Sequence, residues 1–241
     1  MTTSHRTPIL LIPGYWLGAW VWDAVADRLA ALGCRPDAIT LPGLDPRDAA
    51  RASVRFADHV AAVAHRVRTL GPWTVLVAHS GAGEVATAVT DRMPKSLARV
   101  IYVDSGPIAD GTVPRPDLSP DDTELAFPGL DTLEAQGISG AGLTADDRAR
   151  LTSRAVPHPA GACREPITLH DPRRNRVPTT LICCSIPGHV VRDMTTAGVP
   201  MFAALRDLAD LTLVDLPTGH WPMLSRPVDL AGIIAQEADR E

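Results

Sequence analysis

Val77-Ala78-His79-Ser80-Gly81-Ala82-Gly83 is the stretch whose reading decides the fold. The apolar run Trp73 to Ala78 before it predicts a strand, and Gly81 to Met93 after it predicts a helix. The connection between them is very short, so Ser80 projects from a tight strand-to-helix turn with its hydroxyl at the sheet edge. Such a turn demands small neighbours, because strand and helix backbones approach closely. The helix N-terminus adds N–H groups and partial positive charge beside the serine, which favours a developing oxyanion. Ala78 and Ala82 stand where the G-x-S-x-G pattern has glycine, while Gly81 and Gly83 remain. The competing reading is a Ser/Gly turn that only caps a helix.

Working outward, strands and helices alternate. Ile9-Leu10-Leu11-Ile12 reads as a strand buried on both faces, ended by Pro13-Gly14. Trp22, Val25, Leu29 and Leu32 recur at helical spacing between Gly18 and Leu32, with Gly33 at the C′ stop. A strand is expected near Asp37 to Leu41. Ser53 is the expected cap of a second helix striped by Phe56, Val60, Val63, Val67 and Leu70 and ended at Gly71-Pro72. Val100 to Val103 gives a fourth strand. Residues 106–177, rich in Pro, Gly and Asp, break the rhythm apart from short helical pieces such as that after Thr144. Strand Thr179 to Ser185, a helix near Thr196 to Leu208, strand Leu211 to Leu216 and a final helix from about Val228 resume it. Six strands joined by helical crossovers imply an α/β architecture, a mostly parallel sheet with helices on both faces. The 106–177 stretch is too long for a plain loop and reads as an inserted cap. It divides a core of 1–105 and 178–241 and would sit over the carboxyl ends of the strands, where open α/β sheets bind ligands.

Composition narrows the function classes. The 241 residues carry 23 Lys and Arg against 28 Asp and Glu, a net charge of −5 with no basic cluster, which argues against nucleic acid or an anionic membrane as partner. No apolar run reaches the roughly 18 residues that span a bilayer. The apolar stretch after His5 and Arg6 is too short for a signal peptide and no small-residue cleavage site follows it. Cys34, Cys163, Cys183 and Cys184 show no zinc spacing and read as reduced thiols of a cytoplasmic protein.

Two further stretches meet the serine at the same sheet edge. Thr218-Gly219-His220-Trp221-Pro222-Met223 follows the last strand, and its histidine is placed to act as general base and then acid. Its bland alternative is a solvent-facing loop histidine. Ile12-Pro13-Gly14-Tyr15-Trp16 follows the first strand, where the Tyr15 N–H can join that of Gly81 as an oxyanion hole. Trp16, His79 and Trp221 are candidates to line the pocket, although tryptophan more often only packs.

These stretches resemble the α/β-hydrolases, and most closely the small branch that includes plant methyl esterases and hydroxynitrile lyases. Pro8 to Trp22, Val75 to Gly83, Val177 to Cys183 and Gly219 to Pro227 carry the resemblance, in order. It implies Ser80 as nucleophile, His220 as base and Tyr15 and Gly81 as oxyanion donors, with no cofactor or metal. Pro13 stands where the family usually has histidine. The family's usual acid is also missing: Gly188, in Ile186-Pro187-Gly188-His189, falls about where its aspartate belongs. Asp104, at the end of the preceding strand, is the leading substitute for orienting the histidine. Asp193 is the second, and a site with no acid the third. Asp104 can equally cap a turn. His158, His170, Asp171 and His189 are weaker candidates.

The expected activity is cleavage of a small ester, thioester or lactone through an acyl-enzyme, by a monomer or homodimer. A lyase or cyclase using the same pocket, or a binding protein with a decayed triad, are the alternatives. Hydroxynitrile lyases of this branch use a cap lysine, and the only lysine here, Lys95, lies outside the cap.

Overall fold

A computed structural model describes residues 7–240; His5 and Arg6 lie outside them. The elements in chain order are β1 (Pro8–Ile12), α1 (Asp23–Ala31), β2 (Arg35–Ala38), α2 (Phe56–Leu70), β3 (Thr74–His79), α3 (Ala82–Arg92) and β4 (Leu97–Val103). Then come β5 (Glu124–Leu125), α4 (Leu130–Ala135), α5 (Ala145–Arg154), β6 (His158–Pro159), β7 (Thr179–Cys183), α6 (Gly188–Ala197), β8 (Leu211–Asp215), α7 (Pro222–Ser225) and α8 (Pro227–Ala238). Six strands form one sheet in the order β2-β1-β3-β4-β7-β8, and every pairing in it is parallel. A parallel sheet needs cover on both faces, and the side-chain alternation supplies it. Leu10, Ile12, Leu76, Ala78, Val100 and Tyr102 point to the α2/α3 side, where they meet Val60, Val63, Val67, Ala86 and Val89. Ile9, Leu11, Val75, Val77, Ile101 and Val103 point to the α1/α8 side, against Val25, Leu29, Leu230 and Ile234. The adjacent Cys183 and Cys184 fall on opposite sides in the same way, and all four thiols are free.

Local chemistry sets the boundaries. Gly33, at φ +89°, ends α1 in a Schellman motif: its N–H donates to Ala30 O and that of Cys34 to Leu29 O. Five expectations are corrected. Gly18 to Trp22 is not regular α-helix; a 3₁₀ turn at Ala19–Trp22 leads into α1. The second strand pairs as Arg35–Ala38, not Asp37–Leu41, because this half-exposed edge strand lacks an apolar pattern to mark its register. Ser53 closes a 3₁₀ turn through Ala50 O, and Arg55 caps α2, its N–H donating to Asp58 at 2.8 Å. Trp73 is not in β3 but at φ +66° in the turn before it, two-thirds exposed. The helix expected near Thr196–Leu208 is instead α6, which stops at left-handed Gly198, and a 3₁₀ run Pro200–Asp207 follows.

Sheet order places a site. The chain leaves β1 in one direction to form β2 and returns on the other side to form β3, so a crevice opens beyond the carboxyl ends of β1 and β3. Ser80 follows β3 there, and Tyr15 follows β1. Residues 104–178 leave the end of β4 and supply α4, α5 and the small antiparallel β5/β6 pair. Among the described residues, no helix is long and apolar enough to cross a membrane.

Candidate active site

The β3–α3 turn holds Ser80 in the left-handed region at φ +53°, uncommon for a residue with a side chain. Surrounding contacts hold it there. The Ser80 N–H donates to Val103 O at 3.2 Å, and its carbonyl accepts from Gly83 N–H at 2.9 Å and from the Ser105 hydroxyl at 2.6 Å. Gly83 has no room for a side chain: a Cβ would strike Ser105 Oγ and lie 2.7 Å from Gly106 O.

Ser80 Oγ lies 2.8 Å from His220 Nε2, and His220 Nδ1 lies 2.6 Å from Asp104 Oδ2. The carboxylate accepts from Nδ1–H, which leaves Nε2 as acceptor for the Ser80 hydroxyl. Asp104, at φ +44° just past β4, also accepts from the N–H groups of Cys184 and Ser185 at 3.2 and 2.8 Å. The Ser185 hydroxyl reaches both its oxygens, at 2.9 and 2.7 Å. Burial pushes this carboxyl up, but the hydrogen bond and charge of His220 and the Ser185 donors outweigh burial and bring it to about 2. It is therefore ionised at neutral pH.

His220 is fixed through its backbone. His79 Nε2–H donates to His220 O at 2.7 Å, and the His220 N–H donates to Ser139 O at 2.7 Å. Burial, and then the neighbouring His220 charge, push His79 down to about 3, so it stays neutral as a fixed donor. The loop around Ser139 presses so close that a Cβ on Gly219 would lie 2.5 Å from Ser139 O.

The hydroxyl opens into a cavity of about 530 Å³, within the range of small-molecule sites. Tyr15, Trp16, Gly81, His79, His220 and Trp221 line it from the sheet side; Arg115, Asp117, Leu125, Leu133, Gln136 and Ile138 line it from the 104–178 segment. Trp16, at φ +65°, is tethered by its indole N–H to Leu125 O at 2.9 Å, and Trp221 packs edge-on to His220. The Tyr15 and Gly81 N–H groups donate to no backbone carbonyl among the described residues.

Other candidates fall elsewhere. Asp193 is exposed on α6, and His189 is exposed in its first turn. Gly188 stands where the resemblance implies an aspartate, and its N–H donates to Asp215 at 2.6 Å. His170 is exposed, and its N–H donates to Asp91 at 2.9 Å, while Asp171 pairs with Arg173. His158 is buried behind Tyr15 rather than at a pocket mouth, with ring centroids 4.3 Å apart. Three residues escaped the sequence reading. Ser185 and Arg115 carried no motif signal. Glu84 lies four residues past Ser80, one helical turn on, a spacing that could have drawn attention. No group of three His, Cys, Asp or Glu side chains among the described residues is arranged to hold a metal.

The chain belongs to the alpha/beta hydrolase family, whose model matches residues 9–233. No curated protein sequence matches it. Among solved structures it is similar to an extracellular alpha/beta-hydrolase from a Paenibacillus species, described as sharing structural and functional homology with tobacco salicylic acid binding protein 2. The two are 17% identical over 98% of this chain and 100% of that one, with a TM-score of 0.76. It is also similar to a pyrethroid hydrolase from Sphingobium faniae JZ-2, at 22% identity over 97% and 98% of the two chains and a TM-score of 0.74. Tomato methylketone synthase I, complexed with 2-tridecanone, matches at 15% identity over 97% and 98%, with a TM-score of 0.73. Likeness at this level of identity speaks for the fold alone.

Proposed function

We propose that this protein is a serine hydrolase that cleaves a small ester, thioester or lactone. The observation that carries the reading is the unbroken chain of short hydrogen bonds from Ser80 through His220 to Asp104 at the floor of the cavity. Ser80 Oγ attacks the substrate carbonyl carbon while its proton passes to His220 Nε2. The carbonyl oxygen becomes an oxyanion and takes hydrogen bonds from the N–H groups of Tyr15 and Gly81. His220 then gives its proton to the leaving oxygen or sulfur, and the acyl group remains on Ser80. Water attacks that acyl group with His220 again as base, releasing the acid and restoring the serine. Asp104 stays ionised throughout; its task is to hold the Nδ1–H tautomer and to stabilise the imidazolium.

Residues 106–177 act as a cap in this reading: they wall the cavity and pin the histidine loop. Leu125, Leu133, Ile138, Trp16 and Trp221 favour a compact apolar acyl or aromatic group. Four unpaired thiols suit a reducing cytoplasm.

Turnover of p-nitrophenyl acetate and butyrate by wild type, Ser80→Ala and Asp104→Asn tests this. The expected result is activity in wild type and a loss of at least about a hundredfold in both variants. Folded wild type without turnover would instead favour a lyase, a cyclase or a binding protein. Loss in Ser80→Ala alone would remove Asp104 from the mechanism.

A further inference from the structure

Tyr15, which lines the oxyanion side of the cavity, is held by an acid that the steps above do not use. Glu84 lies in the first turn of α3, and the Tyr15 hydroxyl approaches both its carboxyl oxygens, at 2.9 and 2.8 Å. The Tyr15 ring lies against Gly81 so closely that a Cβ there would collide with three ring atoms. One side chain thus joins the loop after β1 to the start of α3, the two segments that carry the Tyr15 and Gly81 N–H groups. His158 packs against the same ring, and His59 meets His158 edge-on at 5.4 Å. His59 is in turn fixed by its Nε2–H to Pro42 O at 2.8 Å.

We propose that Glu84 is a positioning residue: acting through Tyr15, it fixes the spacing of the two N–H donors that hold the oxyanion. This rests on the serine hydrolase reading above. A spacing error of about 1 Å in such a site costs roughly a hundredfold in rate, so a brace of this kind is felt in kcat.

The protonation state fits the geometry. Burial pushes Glu84 up to about 8; the Tyr15 hydrogen bond and the Arg115 charge oppose that only in part. Arg115 is occupied by two hydrogen bonds to Asp117, at 2.8 and 2.6 Å. The other titratable groups around the pair are the Cys163 thiol, pushed up to about 12 by burial first and then by Glu84, and His158 and His59, both pushed down by burial. A neutral acid donates to the phenol oxygen and accepts from the phenol hydroxyl, which accounts for both short contacts. Once ionised, either oxygen accepts the phenolic proton in a charge-assisted bond, so the brace holds in both states.

The test is kcat and KM for p-nitrophenyl butyrate from pH 6 to 9.5 in wild type, Glu84→Ala, Glu84→Gln, Tyr15→Phe and Ser80→Ala. Circular dichroism confirms that each variant is folded. Glu84→Ala and Tyr15→Phe are expected to lower kcat by about tenfold to a hundredfold, with KM within about threefold. Glu84→Gln, which keeps a donor and an acceptor, is expected to restore most of that loss at pH 7. If Glu84→Ala does not fold, Tyr15→Phe and Glu84→Gln give the answer. Unchanged kcat in Tyr15→Phe, or no recovery of kcat in Glu84→Gln relative to Glu84→Ala, overturns the brace while leaving the hydrolase standing. Equal turnover by wild type and Ser80→Ala overturns the hydrolase reading itself.

Discussion

Two carboxyls flank Ser80, and their surroundings give them opposite charge states. Asp104, on the β4/β7 side, is met by two backbone N–H groups, the Ser185 hydroxyl and His220. It sits at about 2. Glu84, on the α3 side, is met by one phenol and sits at about 8. Burial pushes both upward; the histidine and the Ser185 donors outweigh it at Asp104, whereas at Glu84 burial prevails over one phenol and the Arg115 charge. One side of the serine is thereby built to hold a charge next to the histidine. The other side is built as an uncharged brace.

The same chemical change at both positions is the strongest way to break this comparison. Asp104→Asn is expected to lower kcat/KM by about 10³- to 10⁴-fold, because an amide cannot fix the tautomer or stabilise the imidazolium. Glu84→Gln is expected to cost less than about tenfold at pH 7, because an amide mimics a neutral acid. Similar losses at the two positions would erase the distinction. Both values come from steady-state kinetics on p-nitrophenyl butyrate.

Thermal unfolding against pH sharpens it. Glu84 is raised above its ordinary 4.5, so the unfolded chain releases this proton first as pH rises. Wild type should lose stability relative to Glu84→Gln from about pH 4.5 to about 8, and the two curves should run parallel beyond that window. Asp104 is lowered from 3.8 to about 2, so its contribution is present above about pH 4 and is lost as pH falls toward 2. Asp104→Asn should lack that acid-side loss. A smaller effect is expected at Ser185→Ala, which removes the hydroxyl donor but keeps the backbone N–H. The expected loss is about threefold to tenfold in kcat/KM, with the acid limb of the pH profile moved upward.

What could be read from the sequence follows from how local each signal is. β1, β3 and β7 are short apolar runs, and Gly33 stops α1 by its own conformation, so neighbouring residues sufficed for these. β2 reads Arg35-Pro36-Asp37-Ala38, a polar edge strand that only its pairing to β1 defines. The helix expected at Thr196 to Leu208 runs across Gly198, whose left-handed backbone ends α6 and leaves the next residues to a 3₁₀ run. Ser80 and His220 stand out because each sits in a short motif beside a strand. Asp104 competed with Asp193 because the choice depends on β7 lying beside β4, which brings Ser185 to one and leaves the other on an outward face of α6. Glu84 was invisible as a partner of Tyr15, since 69 residues and a sheet crossing separate them. Arg115 and Asp117 lie in a stretch without periodicity, where no pattern announces a cavity wall.

The central claim is that the Asp104–His220 pair activates Ser80. The most direct measurement is the rate and position of fluorophosphonate labelling, followed by intact and peptide mass spectrometry of wild type, Ser80→Ala and Asp104→Asn. The account predicts one adduct, on Ser80, absent from Ser80→Ala and formed at least about a hundredfold more slowly in Asp104→Asn. Labelling at another residue, or labelling of Asp104→Asn at the wild-type rate, would contradict it.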